Sequence, residues 1–184
     1  MLLKQYFPKI NPNFKKHKFG GIAFNSKEIK KGYIFFAIKG NKVDGKRFIK
    51  DAIKKGAKTV ISDLKFEGYK KDVLFLYSSN SRKLLSEIVS KIYKIKPKNL
   101  IAVTGTNGKS SIADFFFQIL KLNKKKVASI GTLGVNLNKA RMKVQNTTLD
   151  PITLNKVLEK IKKKNIDNVI MEASSHGLKQ HRLD

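Results

Sequence analysis

The sequence predicts an α/β protein with two parts, a small N-terminal α/β domain followed by an incomplete parallel α/β domain of the P-loop type. Two observations lead to this class. Short apolar runs typical of buried strands alternate with segments whose apolar residues recur at helical spacing. Residues 100–111 join an apolar run to a glycine turn, a Lys-Ser pair and a helical pattern. Strands that alternate with helices form parallel sheets through right-handed crossovers.

The first domain is predicted over residues 1–95. Residues 33–38 are typical of a buried strand, and a short helix over 48–55 ends at Gly56. Two further strands are predicted over 59–62 and 73–77. A second helix has Ser81 as its expected N-cap and an apolar stripe formed by Leu84, Leu85, Ile88, Val89 and Ile92.

The second domain is predicted over residues 96–184, after a linker at 94–98. Strands are expected over 100–104, 127–130 and 168–171, and a helix over about 109–122. Asp150 and Pro151 are expected to be the N-cap and first residue of another helix, which carries Leu154, Val157, Leu158 and Ile161 on one face. Because parallel sheets usually exceed three strands, we expect this sequence to be the N-terminal portion of a longer protein.

The amino-acid composition excludes some kinds of site and bears on which partners the protein binds. The chain has 184 residues and a net charge of +27. It contains no cysteine, and this absence excludes disulfides and thiolate metal sites. Its 40 basic residues include only four arginines, and no aromatic-and-basic RNA-binding motif is present. A lysine-rich compositional bias therefore explains the charge as well as a dedicated nucleic-acid partner does. The sequence shows no signal peptide and no apolar run of about 20 residues, so we expect a cytoplasmic protein without a membrane partner.

The strand, glycine turn and Lys-Ser pair are typical of a nucleoside-triphosphate site. Backbone N–H groups of the loop and helix N-terminus bind phosphates, Lys109 adds a charge at the β/γ-phosphates, and the Ser110 hydroxyl can ligate Mg²⁺. Val103 stands where the strict P-loop pattern has glycine, and an ordinary turn with a solvated lysine is the alternative. The predicted ATP-binding residues are Gly105, Thr106, Asn107, Gly108, Lys109, Ser110 and Ser111.

Further segments make the pattern more specific. These are Gly131-Thr132-Leu133-Gly134, Asn146-Thr147-Thr148-Leu149-Asp150, and residues 171–182 from Met-Glu-Ala-Ser-Ser-His-Gly-Leu to Gln-His-Arg. In the first domain the corresponding segments are Phe24-Asn25-Ser26 and residues 40–49. Together they resemble the Mur ligases, ATP-dependent amide ligases of peptidoglycan precursor synthesis. Departures from the family pattern include Asn25, Lys27 and Leu149, where Asp, Arg and Pro are usual.

The resemblance implies an activity and its substrates. It favours the ligase that adds the third amino acid, meso-diaminopimelate or L-lysine, to UDP-N-acetylmuramoyl-L-alanyl-D-glutamate through an acyl phosphate. The expected partners are ATP, this UDP-linked dipeptide and the diamino acid, with Mg²⁺ as cofactor. The alternatives are a D-alanyl-D-alanine-adding Mur ligase, an enzyme similar to folylpolyglutamate synthetase and, outside enzymes, a basic nucleic-acid-binding module.

The resemblance also implies roles for residues. Lys109 and Glu172 are the expected catalytic residues, and Ser110 and Glu172 the expected Mg²⁺ ligands. A carboxylate at a strand end supports this, although Glu172 could also be a solvated or capping group. His176 is left out of the metal ligands as a structural residue. The expected substrate-binding residues are Ser26, Asn41, Lys42 and Val43 at the uridine end, and Asn146, Thr147, Thr148, Ser174, Gln180 and Arg182 at the muramoyl-dipeptide end.

Overall fold

The computed structural model of the chain describes residues 1–41, 43–137, 141–144 and 146–184. By packing, the chain divides into two compact units, Met1–Ile88 and Val89–Asp184. The functional domains predicted from the sequence, 1–95 and 96–184, stay predictions. None of the helices in the described part of the chain has the length and apolar character needed to cross a lipid bilayer.

The first unit contains a five-stranded sheet with the order β1-β2-β3-β5-β4. The strands are β1 (Gly21–Ala23), β2 (Tyr33–Phe36), β3 (Thr59–Ser62), β4 (Gly68–Lys70) and β5 (Val73–Tyr77). All neighbours are parallel except β4, which pairs antiparallel with β5. The three longer strands confirm the sequence prediction. The three-residue strands β1 and β4 were not predicted, since they are too short for a periodic pattern.

Apolar side chains from alternate strand positions form the core of the first unit. Phe35 and Val60 lie in one cluster with Ala52 and Ala57, whereas Ile34 and Ile61, on the opposite side of the same strands, are also fully buried. A sheet buried on both faces needs continuous apolar strands, and β2 and β3 have them.

The two helices of this region are α1 (Ile49–Lys54) and α2 (Ser81–Ile92), and a 3₁₀ turn over Gly45–Phe48 precedes α1. The predicted N-cap of α2 is wrong by one residue. Ser81 is the first helical residue, and the side chain of Asn80 accepts a hydrogen bond of 3.0 Å from Lys83 N. Both residues favour N-caps, so the sequence pattern alone did not separate them.

The segment before β1 packs against the sheet through His17. Its Nε2 lies 2.9 Å from Thr59 Oγ1 at the start of β3, and its Nδ1 lies 3.0 Å from Tyr69 Oη on β4. Burial and the nearby charge of Lys58 lower the pKa of His17 below its usual value. The imidazole therefore lies between two hydroxyl groups in surroundings that favour its neutral form.

The second unit also contains a five-stranded sheet, with the order β6-β10-β7-β8-β9. The strands are β6 (Asn99–Val103), β7 (Val127–Gly131), β8 (Gly134–Asn136), β9 (Arg141–Met142) and β10 (Asn168–Glu172). The parallel pairs β6–β10 and β10–β7 confirm the predicted parallel core. The antiparallel strands β8 and β9 were not predicted, and they make the sheet mixed.

Helices cover both faces of this sheet. On one face α4 (Pro151–Lys163) buries Leu158 and Ile161 in a cluster with Ala128 and Val169. Asp150 caps α4 by accepting hydrogen bonds from Ile152 N and Thr153 N, which confirms the predicted helix start. On the opposite face α3 (Lys109–Leu122) packs against β7 and β10. A short helix, α5 (Ser175–Lys179), follows β10. The C-terminal ends of the parallel strands β6, β7 and β10 therefore lie at the same end of the sheet as the N-terminus of α3.

Candidate functional site

The loop between β6 and α3 has the geometry expected of a phosphate-binding turn. Gly105 and Gly108 have φ values of +149° and +80°, a region that L side chains disfavour. The N-cap residue of α3 is Gly108, which has no side chain that could cap the helix, so the first N–H groups of α3 are left for other partners. The predicted residues Thr106 and Asn107 lie exposed in the same turn, and Ser111 lies in the first turn of α3.

Lys109 folds back over this loop. Its Nζ donates hydrogen bonds to the carbonyl oxygens of Gly105, at 2.6 Å, and Thr106, at 3.1 Å. The ammonium group is therefore held above the turn by neutral acceptors. An anion in the loop would offer it a stronger, charge-assisted partner.

Glu172 is the last residue of β10 and is 97% buried, since its exposed fraction is 3%. Its Oε2 accepts hydrogen bonds from Ser110 Oγ, at 2.9 Å, and Thr132 Oγ1, at 3.0 Å, and its Oε1 accepts one from Thr132 N at 2.9 Å. A Cβ atom on Gly131 would lie 2.1 Å from Oε1. Only glycine at position 131 therefore leaves room for this carboxylate.

These oxygens suit a magnesium ion. The carboxylate of Glu172 and the hydroxyl of Ser110 are hard ligands at the N-terminus of α3, and both line a cavity of about 260 Å³ between α3 and β7. In the described part of the chain no group of three or more His, Cys, Asp or Glu residues could hold a metal ion. Mg²⁺ does not need such a cage, because it is usually held by one or two protein ligands together with substrate phosphates and water. The residues present therefore fit Mg²⁺ bound with a nucleotide.

A second cluster adjoins Glu172. The buried Thr148 hydroxyl donates to Glu172 O at 3.0 Å and accepts from Ser174 N at 2.9 Å. Arg182 Nη1 donates to Thr148 O at 2.6 Å, and its Nε and Nη2 donate to Gln180 Oε1. A Cβ atom on Gly177 would lie 2.7 Å from the Thr148 side chain, so α5 approaches this loop closely. Four of the predicted substrate residues thus form one hydrogen-bonded group.

The remaining residues predicted at this end lie beside that group. Thr147 Oγ1 is 3.0 Å from Thr132 Oγ1, and Asn146 is exposed in the same loop. His176 Nε2 lies 2.7 Å from Gln180 Nε2. The structural role of this histidine stays a prediction.

In the first unit, a cavity of about 320 Å³ lies at the C-terminal ends of β1 and β2. Ser26 and Val43 line it, and the Ser26 hydroxyl bonds to Asp51 and lowers the pKa of that carboxyl. Asn41 lies exposed in the loop that leads to Val43, and Lys42 lies outside the described residues. The cavity is completed by Phe24, Asn25, Lys27, Ile38, Gly45 and Phe48.

Comparison with known proteins gives two family matches. The description "Mur ligase family, catalytic domain" matches residues 18–93, and "Mur ligase middle domain" matches residues 103–184. The chain belongs to the Mur ligase family. The first match contains the cavity around Ser26, and the second contains the loop, Glu172 and Arg182. Both candidate sites of this Mur ligase chain therefore lie in matched segments.

Individual Mur ligases agree with this assignment. A UDP-N-acetylmuramoyl-L-alanyl-D-glutamate–2,6-diaminopimelate ligase of Rickettsia montanensis is 44% identical over 177 residues, which are 92% of this chain and 36% of that protein. The ligase of the same name from Bradyrhizobium diazoefficiens is 38% identical over 164 residues, 89% of this chain and 33% of that protein. The chain spans about a third of the length of these relatives.

Solved structures show the same fold. A structure of a UDP-N-acetylmuramoyl-L-alanyl-D-glutamate–2,6-diaminopimelate ligase superposes with a TM-score of 0.81 at 27% identity, covering 100% of this chain and 38% of that one. A MurF ligase from Thermotoga maritima gives a TM-score of 0.52 at 21% identity, covering 84% of this chain and 32% of that one. The second likeness concerns the fold alone.

Sequence reasoning missed four residues of these Mur ligase sites. Thr132 and Gly131 surround the Glu172 carboxylate, and Phe24 and Phe48 line the cavity of the first unit. All four lie in segments that carry the family resemblance. A glycine followed by threonine at the end of an apolar strand was the available sign for the first pair.

Proposed function

We propose that this chain provides the ATP-binding and UDP-substrate-binding parts of a ligase that adds 2,6-diaminopimelate to UDP-N-acetylmuramoyl-L-alanyl-D-glutamate in peptidoglycan synthesis. The observation that carries the proposal is the contact between Ser110, at the start of the glycine loop's helix, and the buried Glu172 at a strand end. The names of the relatives support this substrate and favour diaminopimelate over lysine. Because ATP is a cytoplasmic nucleotide, we propose a cytoplasmic location.

The chemistry requires activation of a carboxylate. The substrate carboxylate attacks the γ-phosphorus of ATP, and the bond from that phosphorus to the bridging oxygen breaks, so ADP leaves and an acyl phosphate forms. The amine then attacks the acyl carbon, loses a proton and expels inorganic phosphate. Because the groups carry like charges, positioning and charge neutralisation supply most of the catalysis.

In the ATP site, the N–H groups at the start of α3 would bind phosphate oxygens, and Lys109 would exchange its two carbonyl partners for the β/γ-phosphates. Ser110 and Glu172 would hold Mg²⁺, which neutralises charge on the phosphates. Gly105 and Gly108 let the backbone approach the nucleotide without a side chain in between.

Two sets of residues are proposed to contact the UDP-linked substrate. Ser26, Asn41, Lys42 and Val43 would contact the uridine end, beside the aromatic walls of the cavity in the first unit. Arg182 supports the assignment of the other end. Within the described part of the chain, three of its five N–H groups donate to Thr148 and Gln180, which leaves two to bind a carboxylate or phosphate. The proposed contacts at that end are Asn146, Thr147, Thr148, Ser174, Gln180 and Arg182.

Calorimetric titration of the 184-residue chain tests this function. We expect saturable binding of ADP with Mg²⁺, and binding of UMP and of UDP-N-acetylmuramoyl-L-alanyl-D-glutamate. The UDP-linked tripeptide should bind more weakly than this UDP-linked dipeptide, which would distinguish the proposed ligase from the D-alanyl-D-alanine-adding one. A folate polyglutamate should not bind. A chain that bound a short RNA tightly but neither nucleotide would overturn the proposal in favour of the basic binding module.

A further inference from the structure

Thr132 contacts both oxygens of the Glu172 carboxylate. Its backbone N–H donates to Oε1 at 2.9 Å, and its hydroxyl donates to Oε2 at 3.0 Å. The residue lies in the two-residue turn between β7 and β8, because Gly131 pairs with Gly134 across the hairpin. A tight hairpin turn is a rigid support, so both donors are fixed relative to the sheet.

Only one of these two contacts depends on the side chain. Any residue except proline would donate through its N–H, whereas the contact to Oε2 needs a hydroxyl. The same Oε2 also accepts from Ser110 Oγ, at 2.9 Å. Among the described residues, removal of the Thr132 hydroxyl would leave this oxygen with the Ser110 contact alone, in a site where the carboxylate is almost fully buried.

The Thr132 hydroxyl also contacts Thr147, the residue before Thr148 of the second cluster. A hydroxyl carries one proton, and Thr132 gives that proton to the carboxylate, which only accepts. Its 3.0 Å contact with Thr147 Oγ1 must then be a bond that Thr147 donates. A directed row of hydrogen bonds therefore runs from Thr147 through Thr132 to Glu172.

We infer that Thr132 is a positioning residue that fixes Glu172 for Mg²⁺-dependent nucleotide binding and connects it to the Thr147 loop. This inference rests on the proposed function, because it assumes that Ser110 and Glu172 hold Mg²⁺ with the nucleotide. Thr132 acts through Glu172. Its effect should therefore appear when Mg²⁺ is present and be small when Mg²⁺ is absent.

Calorimetric titrations of the 184-residue chain with ADP, in Mg²⁺ and in EDTA, test the inference. Thr132→Val keeps the shape and the N–H but lacks the hydroxyl, so it should weaken ADP binding about tenfold in Mg²⁺, the expected cost of one hydrogen bond to a charged group. In EDTA the change should stay below about twofold. Thr132→Ser should restore Mg²⁺-dependent binding. The matched control is Thr153→Val, which changes an exposed threonine on α4.

The outcomes separate the inference from the proposed function. If the unchanged chain binds ADP no better in Mg²⁺ than in EDTA, the proposed metal–nucleotide site fails, and the inference fails with it. If the unchanged chain shows Mg²⁺-dependent binding and Thr132→Val retains it, or weakens ADP equally in both conditions, only the positioning role is overturned. Thermal unfolding of each variant shows whether a general loss of stability explains the result.

A double-mutant cycle tests the connection to Thr147. Thr147→Val should weaken ADP binding in Mg²⁺ about threefold when Thr132 is present, as expected for one neutral hydrogen bond. In the Thr132→Val background, Thr147→Val should have no further effect on ADP affinity, because the hydrogen bonds from Thr147 to Glu172 are already interrupted. Equal effects in both backgrounds would show that the two hydroxyls act independently and would overturn the connection.

Discussion

Ser110 Oγ donates a hydrogen bond of 2.9 Å to Glu172 Oε2 across 62 residues of sequence. The parallel pairing of β6 with β10 produces this contact, because Val103 and Glu172 stand opposite each other at the ends of the two strands. The loop that follows β6 then brings the first turn of α3 to the carboxylate. A hydroxyl and a carboxylate in this place give the site its proposed capacity to hold Mg²⁺ beside phosphates.

Lys109→Ala should remove the charge that we assign to the β/γ-phosphates. Each charge-assisted hydrogen bond lost costs about 1.5–3 kcal/mol, so the affinity for ADP in Mg²⁺ should fall at least tenfold. Titration calorimetry measures this, with the exposed Lys121→Ala as the matched control on the same helix. Unchanged ADP affinity in Lys109→Ala would remove the lysine from the nucleotide site.

Gly131→Ala should displace the Glu172 carboxylate, because the added Cβ would lie 2.1 Å from Oε1. We expect loss of Mg²⁺-dependent ADP binding and a loss of about 1–3 kcal/mol in the free energy of unfolding from overpacking. Gly20→Ala is the control, since its Cβ would meet the nearest atom at an ordinary 3.6 Å. Full ADP binding by Gly131→Ala would show that the carboxylate position is unimportant for the nucleotide.

Arg182→Lys keeps the charge but loses the planar group that bonds to Gln180 and Thr148 at once. The affinity for UDP-N-acetylmuramoyl-L-alanyl-D-glutamate should fall about tenfold, and the affinity for ADP should change little. The neighbouring exposed Lys179→Ala serves as the control. A variant that lost ADP affinity while it kept the UDP-linked substrate would place Arg182 in the other site.

Phe48→Ala should weaken UMP binding to the cavity of the first unit. Phe48 is 43% exposed and lines that cavity, and stacking of a base on an aromatic ring contributes about 1–3 kcal/mol. Phe66→Ala provides a matched control, because Phe66 is 38% exposed and lies outside the cavity, beside Lys70. Equal UMP affinities in the two variants would argue against a base-binding role for this cavity.

His17 should make the stability of the first unit depend on pH. Burial lowers the pKa of His17 below 6.5, so the unfolded chain takes up this proton at a higher pH than the folded chain. The stabilisation is present above pH 6.5 and is lost as the pH falls through the folded pKa. Urea unfolding at about pH 7.5 and about pH 5.5 should show a smaller difference for His17→Gln than for the unchanged chain. An identical pH dependence in both proteins would contradict this.

Local sequence patterns determined much of the fold. Apolar runs located the long strands, the spacing of Leu154, Leu158 and Ile161 located α4, and Asp150-Pro151 marked its first turn. These features depend on residues close together in sequence, so a single segment contains the information. The glycine loop before Lys109 is likewise a local feature that one segment of the sequence contains. The roles proposed for its residues stay predictions.

Only the tertiary structure produced the contacts themselves, although the family resemblance had already predicted a shared site for Ser110 and Glu172. The strand pairing placed Glu172 beside Ser110, and the β7–β8 turn placed Thr132 on both oxygens of that carboxylate. The antiparallel strands β8 and β9 are too short to give a pattern of their own; β8 forms because β7 offers an edge to pair with, and β9 pairs with β8 in turn. Contacts of this kind join residues that are far apart in the sequence. Their energy depends on packing and on hydrogen bonds that exist only when the sheet is assembled, and no local pattern encodes them.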